Sequence, residues 1–185
     1  MSAEERSAIF NGIEMGIGTW SWGDRLVWNF GSGYDAGDIH QVFVSAVQFG
    51  FRFFDTAEIY GQGRSESFLG SFIPETNEPL IIATKFMPYP WRLSPGSLKK
   101  ALAASLKRLK VNKVSLYQMH QAFPPVKIET WMRQMADAVD EGLIEAVGVS
   151  NYDLQQTIQA QNALVREGLN LASTQMEYSL LDRQI

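Results

Sequence analysis

Short apolar runs alternate with longer amphipathic segments along the chain. The apolar runs predict six strands, at residues 13–20, 52–56, 80–86, 114–120, 144–150 and 171–175. Apolar residues at helical spacing predict five helices, near residues 38–49, 64–72, 95–110, 126–141 and 153–167. Strands that are apolar on both faces, each followed by a helix, are typical of a parallel sheet with right-handed crossovers.

Residues that favour helix ends mark three of these boundaries. Ser94 and Pro95 predict an N-cap and a first-turn proline for the third helix. Gly142 and Gly168 follow the fourth and fifth helices, where a glycine readily adopts the left-handed conformation that ends a helix.

Polar residues stand at the carboxyl ends of five predicted strands. They are Asp55, Lys85, His120, Ser150 and Gln175, at intervals of 30, 35, 30 and 25 residues. Each interval is about the length of one βα unit, and in a barrel the carboxyl ends form the face that carries active sites. An open nucleotide-binding sheet would instead show a Gly-rich turn after its first strand, and the segment 16–18 lacks the third glycine. The pattern predicts an α/β protein with a TIM-type (β/α)8 barrel, truncated after about six parallel strands, as a single domain over residues 1–185.

Composition narrows the function classes. The chain has 185 residues, of which 45% are hydrophobic, with a net charge of -4, so neither nucleic acid nor an anionic membrane is an expected partner. The absence of cysteine excludes disulfide and thiolate chemistry, and no metal site is predicted. Residues 1–10 lack a long apolar run, and no segment approaches the roughly 20 apolar residues of a membrane span. We therefore expect a cytoplasmic protein.

Tyr60 and three of these strand-end residues could form a proton donor aimed at a carbonyl group. A phenol such as Tyr60 has a pKa near 10, and a nearby ammonium stabilises the phenolate and lowers that pKa. Lys85 could supply the ammonium, and Asp55 on the adjacent strand would keep the buried lysine charged. His120 on the next strand could donate a hydrogen bond to a substrate oxygen.

Each of these residues also has a purely structural interpretation. Asp55 could stabilise a turn, Tyr60 could lie at a rim, and Lys85 could extend to solvent. His120 could be a structural histidine, and residues 150–151 could cap the next helix. The joint placement at the strand ends favours the functional interpretation.

Six aromatic residues fall on loops at the same end of the predicted barrel. They are Trp20, Trp22, Trp28, Phe30, Trp91 and Phe123. We expect them to line an apolar substrate pocket, with packing inside the loops as the alternative.

Seven segments across nearly the whole chain resemble the aldo-keto reductase family. They are GIGTW (16–20), FFDTAEIYGQGRSE (53–66), IIATKF (81–86), SLKKALAASLKRLK (97–110), VSLYQMHQ (114–121), IEAVGVSNYD (144–153) and STQMEYSLLDR (173–183). The resemblance implies an oxidoreductase that uses NADPH to reduce a small aldehyde or ketone to an alcohol.

The resemblance also implies roles for individual residues. Asp55, Tyr60, Lys85 and His120 match a catalytic tetrad, in which Tyr60 protonates the carbonyl oxygen, Lys85 and Asp55 tune Tyr60, and His120 orients the substrate. Further positions match residues that bind the nicotinamide end of the cofactor. They are Ser150, Asn151 and Gln175 at the carboxamide, with Thr19, Trp20 and Asp55 beside it.

The number of predicted strands departs from the family. A complete barrel has eight strands in about 250 residues, and phosphate binding follows strands seven and eight. We therefore expect a truncated or naturally short form that binds NADPH weakly and shows little turnover. Unpaired edges at the first and sixth strands predict self-association.

Two other functions stay open. A non-catalytic nucleotide- or protein-binding regulatory subunit could keep the same barrel face, although it would not need all four tetrad residues. An aldolase-type barrel would use Lys85 as a Schiff-base amine, although a lysine paired with Asp55 is a poor nucleophile.

Overall fold

Six parallel strands form the centre of the molecule. The computed structural model describes residues 8–94, 96–181 and 183. Within them the strands pair in chain order, from β1 to β6. Their bounds are Gly16–Gly18 (β1), Phe53–Asp55 (β2), Ile81–Phe86 (β3), Val114–Met119 (β4), Ile144–Ser150 (β5) and Leu171–Gln175 (β6). The predicted strands and their parallel pairing are confirmed.

Five α-helices alternate with the strands in the described chain. Their bounds are Ala36–Gln48 (α1), Arg64–Phe72 (α2), Ser97–Leu109 (α3), Ile128–Asp140 (α4) and Leu154–Arg166 (α5). Asp35 and Asp153 form capping boxes at the starts of α1 and α5. Gly142 and Gly168 have positive φ angles of 72° and 74°, which confirms the predicted stops of α4 and α5. No helix among the described residues is long and apolar enough to cross a membrane.

Two predicted boundaries were wrong. The N-cap of α3 is Gly96, because the carbonyl of Ser94 accepts the N–H of Ser97 in a turn that precedes the helix. Pro95 lies outside the described residues. β1 is shorter than its apolar run, because the N–H of Trp22 bonds back to the carbonyl of Thr19 and the chain turns there.

The sheet is strongly curled. Neighbouring strands lie about 4.8 Å apart, so β2 and β6 would be roughly 19 Å apart in a flat sheet. The side-chain nitrogen of Gln175 on β6 nevertheless lies 3.2 Å from the carboxylate of Asp55 on β2. The strands therefore wrap around a common interior, as in a barrel, and bring their carboxyl ends together.

Apolar side chains fill both sides of the sheet. The larger layer lies between strands and helices and includes Phe43, Phe54, Phe86, Leu102 and Met132. The smaller cluster lies on the inner face and comprises Ala83, Leu116 and Ala146, with Phe10 and Phe53 packed against it. Because side chains alternate along a strand, Lys85 shares the inner face with Ala83. Polar residues therefore stand above an apolar floor, toward the carboxyl ends of the strands.

The sheet has two open edges in the described chain. β1 pairs only with β2, β6 pairs only with β5, and both outer strands are partly exposed. The apolar side chain of Ile158 on α5, which is 44% exposed, lines a surface cleft together with Leu171 and Ala172 of β6. Unpaired strand edges beside exposed apolar groups favour association with another chain.

Candidate active site

A glycine-rich turn carries Tyr60. β2 ends at Asp55, and three consecutive residues after Tyr60 have positive φ angles: Gly61 at 54°, Gln62 at 59° and Gly63 at 87°. A Cβ atom on Gly61 would lie 2.8 Å from the backbone of Gly23, so only glycine permits this approach. The close packing of this turn against the backbone of Gly23 holds the Tyr60 phenol at the end of the sheet.

Lys85 connects three groups at the centre of the site. Its Nζ atom donates hydrogen bonds to Asp55 Oδ2 at 2.5 Å, to the carbonyl of Thr56 at 3.1 Å and to Tyr60 Oη at 3.3 Å. The Lys85 side chain is only 1% exposed. Burial lowers the pKa of the Lys85 ammonium, and its contact with the Asp55 carboxylate opposes that shift. The structure thus brings together three residues that the sequence predicted as neighbours.

The direction of the Tyr60 pKa differs from the sequence prediction. Burial raises the pKa of Tyr60, and the negative charge of Asp55 raises it further. The predicted lowering by Lys85 was wrong because burial disfavours the phenolate and because Asp55, paired with the ammonium at 2.5 Å, adds a negative charge beside the phenol. Tyr60 is therefore protonated at neutral pH, which is the state that a proton donor requires.

His120 lies beside the phenol. The two rings meet edge to face, with centroids 5.6 Å apart. Burial and the positive charge of Lys85 lower the pKa of His120 to about 4, so the ring is neutral at pH 7. Its Nδ1 atom is buried and has no hydrogen-bond partner among the described residues. The neutral ring carries one N–H and can donate one hydrogen bond to a ligand.

The depressed His120 pKa predicts an acid-sensitive contribution to stability. Between pH 6.5 and about 4 the unfolded chain binds a proton at this residue and the folded chain does not, so the free energy of unfolding falls as the pH is lowered. This contribution reaches at most about 3 kcal/mol. Urea unfolding across this pH window should show a steeper loss for the wild type than for His120→Gln. Parallel curves for the two proteins would contradict the assignment.

An open cleft of about 520 Å³ lies in front of these residues. It is lined by Trp20, Ile59, Tyr60, His120, Ser150, Asn151, Gln175, Met176 and Glu177. The ring of Trp20 stacks against Tyr60 at 6.2 Å. The cleft therefore brings two tetrad residues together with four of the residues predicted to contact a cofactor.

Ser150 and Asn151 are held at the cleft wall. Asn151 has a positive φ angle of 56°, and its Nδ2 atom donates to the carbonyl of His120 at 3.0 Å and to Ser150 Oγ at 3.2 Å. The alternative that these residues cap the following helix is wrong, because Asp153 is the N-cap of α5. Both residues line the cleft.

Thr19 occupies a different position from the other predicted cofactor contacts. Its side chain is fully buried, and its hydroxyl donates to the carbonyl of Asp55 at 3.0 Å and lies 2.7 Å from Ser65 Oγ. These bonds tie the end of β1 to β2. Thr19 supports the site from beneath and does not line the cleft.

The predicted aromatic pocket is only partly present. Trp20 lines the cleft, and Trp28 packs edge to face against it at 5.7 Å. Trp22 is 3% exposed and packs in the outer core, so its assignment to the pocket was wrong. Phe30 packs against Phe68 on α2. The remaining two, Trp91 and Phe123, border other surface clefts.

Two buried polar residues were not predicted as part of the site. Gln118 lies on β4 next to the tetrad and is 2% exposed. Glu58 precedes Tyr60, and its carboxylate pairs with both terminal nitrogens of Arg92, at 2.5 and 3.1 Å. Glu58 also accepts the N–H of Met87 at 2.8 Å. The Glu58–Arg92 pair therefore ties the Tyr60 turn to the loop after β3. For Gln118, the sequence signal that could have identified it was its position as a polar residue inside an apolar strand.

The molecule is a curled sheet of six parallel strands with polar side chains gathered at the carboxyl ends of the strands. The profile of the Aldo/keto reductase family matches residues 14–185. The chain belongs to the aldo-keto reductase family.

Several curated proteins are similar to this chain. It is 37% identical over 180 residues to a chloroplastic pyridoxal reductase of Arabidopsis thaliana, a match that covers 90% of this chain and 49% of that protein. It is 35% identical over 176 residues to a 6-dehydroglucose reductase of Novosphingobium aromaticivorans, covering 87% and 55% of the two chains. The chain spans about half the length of the curated relatives it matches.

Solved structures show the same barrel. The thermostable aldo-keto reductase Tm1743, in complex with the inhibitor epalrestat, superposes with a TM-score of 0.75 at 29% identity over 90% of this chain and 58% of that chain. An aldo-keto reductase of Klebsiella pneumoniae in complex with NADPH superposes with a TM-score of 0.72 at 25% identity, over 88% and 53%. The predicted fold class is confirmed.

Proposed function

We propose that this chain carries the catalytic residues of an enzyme that reduces an aldehyde or ketone to an alcohol with NADPH. The observation that carries the proposal is the contact of 3.3 Å between Lys85 Nζ and Tyr60 Oη, beside the 2.5 Å ion pair of Lys85 with Asp55. A buried ion pair is a weak source of stability. Its position behind a phenol in an open cleft supports a chemical role.

Tyr60 would act as the proton donor. The carbonyl oxygen gains electron density as the carbon–oxygen π bond breaks, and the phenolic proton bonds to that oxygen. The phenolate left on Tyr60 is stabilised by the hydrogen bond from Lys85 and takes up a proton from solvent before the next cycle. His120, neutral at pH 7, would donate its N–H to the same carbonyl oxygen and orient it toward Tyr60.

The cleft residues fit the nicotinamide end of NADPH. Ser150, Asn151 and Gln175 place a hydroxyl and two amides along one wall, and a carboxamide can bond to each of them. Trp20 offers an aromatic surface beside Tyr60. NADPH, when bound, supplies the hydride that the carbonyl carbon accepts. The similar Klebsiella pneumoniae structure contains NADPH, which supports this choice of cofactor.

The geometry of Lys85 argues against the aldolase alternative. Its three hydrogen bonds match the three N–H groups of an ammonium, and the side chain is 1% exposed. A Schiff base requires a neutral, accessible amine. Incubation with a carbonyl compound and borohydride should therefore leave Lys85 unmodified, and a trapped adduct on Lys85 would favour the aldolase function.

NADPH oxidation with a panel of carbonyl compounds tests the proposed function. The panel should include pyridoxal and 6-dehydroglucose, because the two similar reductases named above carry these compounds in their names. We expect a slow loss of NADPH absorbance that requires the carbonyl compound, because the chain is expected to show little turnover. Tight NADPH binding without turnover of any compound would instead favour the regulatory alternative.

Self-association through the open edges is a further prediction. The 20.8 kDa chain should elute from size-exclusion chromatography at a larger size that increases with protein concentration. Ile158→Glu places a charge on the exposed flank beside β6 and should shift the elution toward the monomer. A monomer at every concentration would refute this prediction.

A further inference from the structure

Gln118 lies on the inner face of the sheet, beside the tetrad but outside the cleft lining. It is in register with Lys85 on β3 and with Gly148 on β5. Its side chain is almost fully buried. A buried amide is costly unless its donors and acceptor are satisfied. The partners of this amide therefore indicate what the residue does.

The Gln118 amide has three partners. Its Nε2 atom donates to Asp55 Oδ1 at 3.4 Å and to Gln175 Oε1 at 3.3 Å. Its Oε1 atom accepts the hydroxyl of Ser173 at 3.0 Å. The amide thus bridges a tetrad residue on β2 and a cleft residue on β6.

Space for this amide depends on Gly148. A Cβ atom there would lie 2.2 Å from Ser173 Oγ and 3.1 Å from Gln118 Cγ. Such contacts would displace the hydroxyl that holds Gln118 Oε1. The backbone of β5 therefore leaves room for the bridge.

The bridge closes a ring of hydrogen bonds. Gln175 Nε2 donates to Asp55 Oδ2 at 3.2 Å, so Asp55, Gln118 and Gln175 each contact the other two. Asp55 Oδ2 is also the acceptor of Lys85. Gln175 is therefore hydrogen-bonded directly to the carboxylate that pairs with Lys85, and this ion pair faces Tyr60.

We propose that Gln118 is a positioning residue that couples the nicotinamide pocket to the catalytic tetrad. It orients the Gln175 amide toward the cleft and supports the Asp55 carboxylate from the opposite oxygen. A ligand that bonds to the Gln175 amide alters the hydrogen bond from Gln175 to Asp55. The hydrogen bonds from Gln118 to Gln175 and to Asp55 alter with it. The identity of the ligand rests on the function proposed above, whereas the coupling is a property of the three side chains.

Side-chain NMR of the 185-residue chain tests the coupling without any turnover. In 15N-labelled protein, Gln118→Met and Gln175→Met assign the two amide signals by their loss, and methionine preserves the side-chain length. We expect each variant to shift the remaining amide signal of the pair. The amide of Gln159, which donates to Glu129 at 2.8 Å on the exposed surface between α5 and α4, should not move. An unchanged Gln175 signal in Gln118→Met would overturn the proposal.

NADPH titration by fluorescence tests the functional consequence. Gln118→Met should bind NADPH about fivefold to tenfold more weakly, the loss expected when one hydrogen bond no longer orients Gln175. Gln159→Met, which removes an exposed contact with Glu129, serves as the control with unchanged affinity. A Gln118→Met protein that melts at a lower temperature yet binds NADPH as the wild type does would show a merely structural role.

Ser173→Ala keeps the test valid if Gln118→Met does not fold. It removes the hydrogen bond to Gln118 Oε1 and should shift both amide signals. Unshifted signals in this variant would contradict the proposal. Failure of the proposed function would appear differently, as intact amide coupling in a protein that reduces no carbonyl compound.

Discussion

Tyr60→Phe is expected to lower kcat for carbonyl reduction by about 10²- to 10⁴-fold while leaving the Kd for NADPH almost unchanged. The phenolic proton is needed only in the transition state, so its loss affects the chemical step and not binding of the cofactor. The ring itself remains, together with its stacking on Trp20. Steady-state kinetics in a preparation that reduces a carbonyl compound, with fluorescence titration of NADPH, measures both quantities.

Tyr117→Phe is the matched control for this variant. Tyr117 is fully buried on β4, and its hydroxyl has no hydrogen-bond partner among the described residues. Removing that hydroxyl should leave kcat unchanged. A Tyr60→Phe enzyme with undiminished kcat would refute the assignment of Tyr60 as the proton donor.

Lys85→Met is expected to lower kcat by at least about 10²-fold and to raise the pKa of Tyr60 further. The substitution leaves Asp55 without its cation at 2.5 Å, and the uncompensated carboxylate disfavours the phenolate. The pH–rate profile should therefore lose height, and its alkaline limb should move to higher pH. Breaking a buried ion pair also costs about 3–5 kcal/mol of stability, which urea unfolding would measure.

Lys99→Met is the control for the loss of a lysine as such. Lys99 pairs with Glu141 on the surface, and its side chain is 61% exposed, so the pair contributes little to stability. This variant should keep the wild-type profile. If Lys85→Met also kept the shape and height of that profile, Lys85 would have a structural role only.

Secondary structure was predictable because its signals are local. Each strand contains a short apolar run, and each helix has apolar residues at helical spacing within its own segment. All six strands and five helices were found. The errors fell where the backbone is decided by turns, as at Ser94 and in the short β1. The gathering of Asp55, Lys85 and His120 was predictable for a different reason, since parallel strands place their carboxyl ends on one face.

Burial of single side chains was not predictable from the pattern. Trp20 and Trp22 are two residues apart in the same loop, yet Trp20 lines the cleft and Trp22 packs in the outer core. Thr19 was expected at the cofactor and instead ties β1 to β2 from beneath. The direction of each side chain depends on the curl of the sheet and on the turns that follow the strands.

The sequence by itself determined the family, the order of strands and helices, and the strand ends at which Asp55, Lys85 and His120 stand. Only the tertiary structure decided the electrostatics of the site. The pKa of Tyr60 is raised first by burial and then by the charge of Asp55, whose carboxylate lies 2.5 Å from Lys85 although the two residues are 30 positions apart. The bridge from Gln118 to Asp55 and Gln175 likewise joins groups up to 120 positions apart. Such contacts depend on distances between atoms brought together by folding, and no local pattern of residues encodes them.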